Sequence, residues 1–108
     1  GRLRALAVST VRRSKILPAL PSIAEAGVPG YDANTWYGFV VPAKTPPAIV
    51  TRLNKEIVQA LSRPDSSETL FKVGLEPWTS TPEYFGTHLK SEYEKWGRII
   101  SEIGITAN

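Results

Sequence analysis

The chain has 108 residues, 42% of them hydrophobic and 21% charged, with a formal net charge of +3. That length supports one domain at most, the composition is that of a globular protein, and no apolar run approaches the ~20 residues of a membrane-spanning helix. With no cysteine there is no disulfide framework, thiolate zinc site or cysteine nucleophile; with no methionine, the chain reads as a piece of a longer polypeptide.

Taken in order, residues 3–9 (LRALAVS) are small and apolar on both faces after Arg4 and predict a short interior strand. Residues 10–21 form a loop whose prolines, Pro18 and Pro21, disfavour helix in the residues before them. Ser22 and Glu25 stand in capping-box spacing, and Gly27 is placed to end one or two helical turns. After a second loop comes the stretch around which the chain is organised, residues 35–61. Trp36, Tyr37, Phe39, Val40 and Val41, closed by Pro42, predict a buried strand. Thr45 as cap and Pro46 at the first helical position then open an amphipathic helix with Val50, Leu53, Ile57 and Leu61 on one face.

Pro64, Asp65 and Ser66 start a second helix that should carry Leu70, Phe71 and Val73 inward and close at Gly74. Residues 75–80 read as an edge strand, since Pro77 has no N–H for a ladder. Thr81, Pro82 and Glu83 open a last helix from about Pro82 to Ile103, with Phe85, Leu89, Trp96, Ile100 and Ile103 on one stripe and Gly104 as its stop. The fold class is therefore α/β, three main helices on a few-stranded parallel or mixed sheet. So few strands leave apolar helix faces uncovered. The missing strands come either from another part of the parent chain or from a second copy, as a homodimer.

Little in the sequence points to catalysis. His88, the one histidine, lies inside the last helix and reads as a packed or exposed helical residue rather than a general base. Ser9, Thr10, Ser66 and Ser67 sit in no nucleophile motif, Glu92 and Glu94 do not share a helix face, and no spacing suits a metal. Gly27 and Gly30 form no phosphate loop. Arg2, Arg4, Arg12, Arg13 and Lys15 all precede the first acid, Glu25. They read first as solvated strand-end and loop charges, and second as a site for phosphate or carboxylate; no nucleic-acid module accompanies them.

GRLRALAVST, then LPALPSIAEAGVPGY, then TWYGFVVPAKTPPAIVTRLNKEI, then a C-terminal amphipathic helix with the Trp96-Gly97 pair, together resemble the C-terminal third of the tripartite tricarboxylate transporter substrate-binding proteins, the Bordetella uptake gene family. The resemblance implies a periplasmic receptor with two α/β lobes, similar to the type II periplasmic binding proteins. Such a receptor closes on a small carboxylated solute and hands it to membrane permease subunits, without catalysis or cofactor. It also implies that residues 1–34 lie near the crossover between lobes, that residues 35–108 belong to the first lobe, and that the N-terminal portion of the parent chain supplies the rest.

On that pattern the candidate ligand residues are those at strand ends facing the cleft. Ser9 and Thr10 offer hydroxyls, Arg13 a carboxylate fork, and Trp36 with Tyr37 an aromatic wall with a polar tip. Core packing is the alternative for Trp36 and Tyr37, and a plain loop charge for Arg13; Trp78 and Trp96 read as packing residues. The alternative function is a self-associating structural module whose copies complete each other's sheet and which binds no solute of its own.

Overall fold

The structure is a computed structural model that describes residues 2–105. It contains three helices, α1 (Pro47–Leu61), α2 (Pro64–Lys72) and α3 (Pro82–Ile103), in two compact units. One unit comprises Gly1–Pro42 and Ser62–Pro77; the other comprises Ala43–Leu61 and Trp78–Asn108.

In the first unit the expected strand at residues 3–9 is reduced to one isolated parallel bridge, Val8 to Ser22. Val8 N donates to Pro21 O and Ile23 N to Val8 O, both at 2.9 Å. Ser22 is fully buried, and its capping box forms as the spacing predicts: Ser22 N donates to Glu25 Oε2 at 3.0 Å and Glu25 N to Ser22 Oγ at 3.1 Å. No helix follows. Ala26 N reaches Ser22 O, after which Gly27, at φ 121°, turns the chain away.

The few-stranded sheet is not borne out by the structure: among the described residues no strand forms. Residues 36–41 and 75–80 take no ladder, and Tyr37, Phe39 and Val40 are each about three quarters exposed (76%, 75% and 77%). The physical reason is that a strand exists only by pairing, and nothing among the described residues presents a backbone edge to these segments. The three long helices close their own hydrogen bonds and form within a residue or two of where the sequence predicts them, whereas the short turn after Ser22 does not extend into a helix.

α2 begins at Pro64 with Arg63 as its cap residue, and Asp65 sits in its first turn, where the helix dipole favours a negative charge. Arg63 Nε and Nη2 donate to the two carboxylate oxygens of Asp65 at 3.2 and 3.0 Å. The helix closes through Gly74 at φ 78°, whose N–H reaches Phe71 O, while Leu75 N reaches Leu70 O. Leu70 and Phe71 are half-buried, but Val73 falls beyond the last turn and is 68% exposed, not inward.

In the second unit α1 packs against α3. α1 starts one residue later than the sequence predicts. Pro46 O accepts from Ile49 N and Val50 N, so Pro46 is the cap residue and Pro47 the first helical one. A residue that precedes proline avoids the helical region, which excludes Pro46 from the helix. Asn54 Nδ2 donates to Ser80 O at 2.9 Å and ties α1 to the chain entering α3. α3 has the predicted ends: Thr81 Oγ1 accepts from Tyr84 N at 3.2 Å, and Gly104, at φ 70°, closes it with Ile105 N on Ile100 O. Its predicted apolar stripe is only partly covered, with Trp96 40%, Ile100 44% and Ile103 62% exposed.

Two outcomes are expected. Thr81→Ala removes the side-chain acceptor at the α3 start and should cost about 1 kcal/mol in denaturant unfolding, with Thr81→Ser close to the parent. The Glu25 carboxylate is held below the ordinary glutamate value of 4.5, first by the Ser22 backbone N–H and then by Arg13. Because its folded value lies below its unfolded one, its contribution is complete above the ordinary value and lost as pH falls through the lowered one. Side-chain carboxyl NMR of the parent should therefore give a depressed midpoint, and Arg13→Met should raise it only part of the way back. A parent midpoint at the ordinary value contradicts the arrangement.

Candidate functional site

The predicted candidates Ser9, Thr10, Arg13, Trp36 and Tyr37 all lie in the first unit. The structure draws the first three into one short loop and fixes that loop at several points. Ser9 O accepts from Ala33 N at 3.1 Å, so the bridged segment at Val8 continues directly into a contact with the chain that leads to Trp36. Thr10 Oγ1 donates to Arg12 O at 2.6 Å, a local turn bond that commits its proton to the backbone. The Ser9 side chain is exposed.

Arg13 carries the chemistry most suited to an anion. Its Nε donates to Glu25 Oε2 at 3.0 Å, in an ion pair whose side chains are 51% and 48% exposed. The same Glu25 oxygen accepts from Ser22 N, so a carboxylate locked into the capping box holds the arginine. Among the described residues the Arg13 Nη1 and Nη2 atoms carry no hydrogen bond, which leaves a two-pronged donor edge of the kind that receives a carboxylate. The next residues are anchored from elsewhere. Ser14 Oγ and Lys15 N both donate to Glu76 Oε1, the latter at 2.9 Å, and Ile16 N donates to Ser14 Oγ at 3.0 Å.

Trp36 is half-buried, while Tyr37 is exposed. Asn34 Nδ2 donates to Asp32 Oδ1 at 2.8 Å just before them. The hydrogen bonds of the loop run to Ala33, Glu25 and Glu76; among the described residues none runs to Tyr37. Sequence reasoning missed Glu25 and Glu76 as partners of this loop. The capping-box spacing marked Glu25 but not its second bond, and Glu76 is 62 residues from Ser14 with no local signal.

The second unit holds two further polar and aromatic features. Trp78 meets Tyr84 edge-on at 5.7 Å and His88 at 5.3 Å, and Phe85 stacks with His88 at 6.5 Å. His88 is thus packed among aromatics on α3. Trp78, Thr79, Ser80, Thr81 and Tyr84 border an open depression of about 340 Å³, in which the rings brace one another rather than forming two parallel walls. On α3, Glu92 is 9% exposed and accepts from Trp96 Nε1 at 3.0 Å and from Lys95 Nζ at 2.5 Å. Among the described residues no group of three metal-ligating side chains gathers, and no helix is long and apolar enough to cross a membrane.

Comparison with known proteins gives this geometry its context. Residues 1–105 match the family model described as the tripartite tricarboxylate transporter family receptor. The chain is 42% identical over 108 residues to a UPF0065 protein in the tcbD-tcbE intergenic region of a Pseudomonas species, covering 99% of this chain and 32% of that protein. It is 34% identical over 104 residues to Protein BugT of Bordetella pertussis, covering 96% of this chain and 32% of that one. Among solved structures, R. palustris Rpa4515 with adipate is similar with a TM-score of 0.74 at 37% identity, over 94% of this chain and 34% of its own. The chain thus spans about a third of the length of these relatives. From its match across nearly every residue, the chain belongs to the tripartite tricarboxylate transporter receptor family.

Proposed function

We propose that this chain is the C-terminal part of a periplasmic receptor that binds a small carboxylate and presents it to the permease subunits of a tripartite tricarboxylate-type transporter, with no catalysis of its own. The observation that carries this reading is the family match over residues 1–105, joined to a 37%-identical neighbour that was solved with adipate. The Arg13 loop fits it chemically. A guanidinium whose Nη edge carries no hydrogen bond among the described residues, on the same loop as the exposed Ser9, has the chemistry to receive a planar carboxylate.

In this reading Arg13 is the principal anchor and Ser9 a hydroxyl donor. Thr10 serves as a turn residue that presents Arg13, because its own proton is committed to Arg12 O. Trp36 and Tyr37 supply an apolar wall for the methylene chain of the solute. Residues 1–34 take the crossover between two lobes and residues 35–108 the first lobe, completed by the N-terminal portion of the parent chain. The exposure of Leu3, Leu6, Phe39 and Val40 supports that completion, since apolar surface of this kind is ordinarily buried. A homodimer of this chain would cover the same surface; coverage of only a third of the relatives' length favours the rest of one polypeptide.

The test is calorimetric titration of adipate into a chain of the relatives' full length that carries residues 1–108. Saturable binding is expected, weakened roughly tenfold to a hundredfold by Arg13→Met, the usual loss for a hydrogen-bonded charge. Absence of binding by adipate and by shorter and longer dicarboxylates alike would overturn the reading.

A further inference from the structure

Three consecutive residues of one loop are each held by a carboxylate that the chain brings from far away. Arg13 is held through Nε by Glu25, twelve residues on, while Ser14 Oγ and Lys15 N are held by Glu76, which follows α2. All three residues and both acids lie in one compact unit. Neither acid closes off the loop's cationic character. Arg12, Arg13 and Lys15 against Glu25 and Glu76 leave one net positive charge, and the Arg13 Nη edge is uncommitted among the described residues.

The geometry points to Glu25 and Glu76 as positioning residues that hold the Arg13 loop ready for a solute carboxylate, one fixing the guanidinium and the other fixing the backbone that follows it. This rests on the receptor reading above and deepens it. Glu25 is not a competitor that a solute displaces, because the oxygen that meets Arg13 is also bonded to the Ser22 N–H, and Ser22 is fully buried. A carboxylate anchored to its own turn cannot swing aside; it can only steer. Holding Arg13 by Nε selects the rotamers in which the other two nitrogens face outward, so less side-chain freedom is lost when a ligand arrives. Glu76 does the same for the main chain, accepting from Ser14 Oγ and Lys15 N together while Ser14 Oγ accepts from Ile16 N.

The experiment is a double-mutant cycle in the full-length chain, with adipate as probe and thermal unfolding recorded beside each titration. Glu25→Gln keeps an oxygen for Ser22 N–H but loses the ion pair; Glu76→Gln weakens the loop anchor; Arg13→Lys keeps the charge and a measurable affinity but has no Nε. Each Glu→Gln change should weaken adipate binding by about threefold to tenfold with Arg13 present. Glu25→Gln should change it less than about twofold on the Arg13→Lys background, while the change in unfolding temperature is the same on both. An equal loss of affinity on both backgrounds, or tighter binding in Glu25→Gln, overturns the steering role and leaves the receptor reading standing. A parent chain that binds no dicarboxylate overturns the receptor reading, and the steering role falls with it.

Discussion

The reciprocal pair of bonds between Ser22 and Glu25 is the constraint on which the first unit depends. It satisfies the backbone donors of a tight turn at a residue with no solvent contact, where an unmade bond would be costly. The flanking peptide groups are thereby aimed at Val8, whose N–H and C=O take Pro21 O and Ile23 N, so the Val8–Ser22 bridge, the one isolated bridge among the described residues, is built on that turn. The side chain of Glu25 then carries the constraint outward to Arg13. A rule of local backbone chemistry thus ends by setting the orientation of a surface guanidinium.

A contrast between local and non-local bonding runs through the whole chain. Each of the three helices is complete in itself: Thr81 and Gly104 bound α3, and Gly74 closes α2, because every bond they need lies within a few residues. Residues 3–9 and 36–41 have the composition of strands and remain without a ladder, since their bonds must come from another segment. Among the described residues no hydrophobic side chain is buried, although 42% of the chain is hydrophobic. The apolar surface these residues carry stays open among the described residues.

The same distinction explains what could be read from residues alone. Helix ends, the capping box and the turn glycines are encoded in spacings of one to four residues, and the one shift, at Pro46, follows from a second proline beside it. The guanidinium chemistry of Arg13 was legible because it belongs to the side chain itself. Its surroundings were not legible. Glu76 meets Ser14 across 62 residues with no pattern between them, and Glu92 is buried on a helix where its spacing from Glu94 said only that the two acids do not share a face. Trp36 and Tyr37 read as a buried aromatic pair because their composition specifies burial without specifying what does the burying.

The hexapeptide at residues 36–41, WYGFVV, exposed from Tyr37 onward, has a consequence for the life history of the polypeptide. It has high β-propensity, no charge and no proline, the makeup of a segment that stacks on identical copies of itself when left open. Pro42 and Lys44 stand at its C-terminal end as gatekeepers, the first unable to donate to a growing fibril ladder and the second repelling its counterpart in register. While it stays open, this segment is a point at which correct assembly and aggregation compete. The order in which the parts of the chain meet during folding therefore matters as much for yield as the stability they reach at the end.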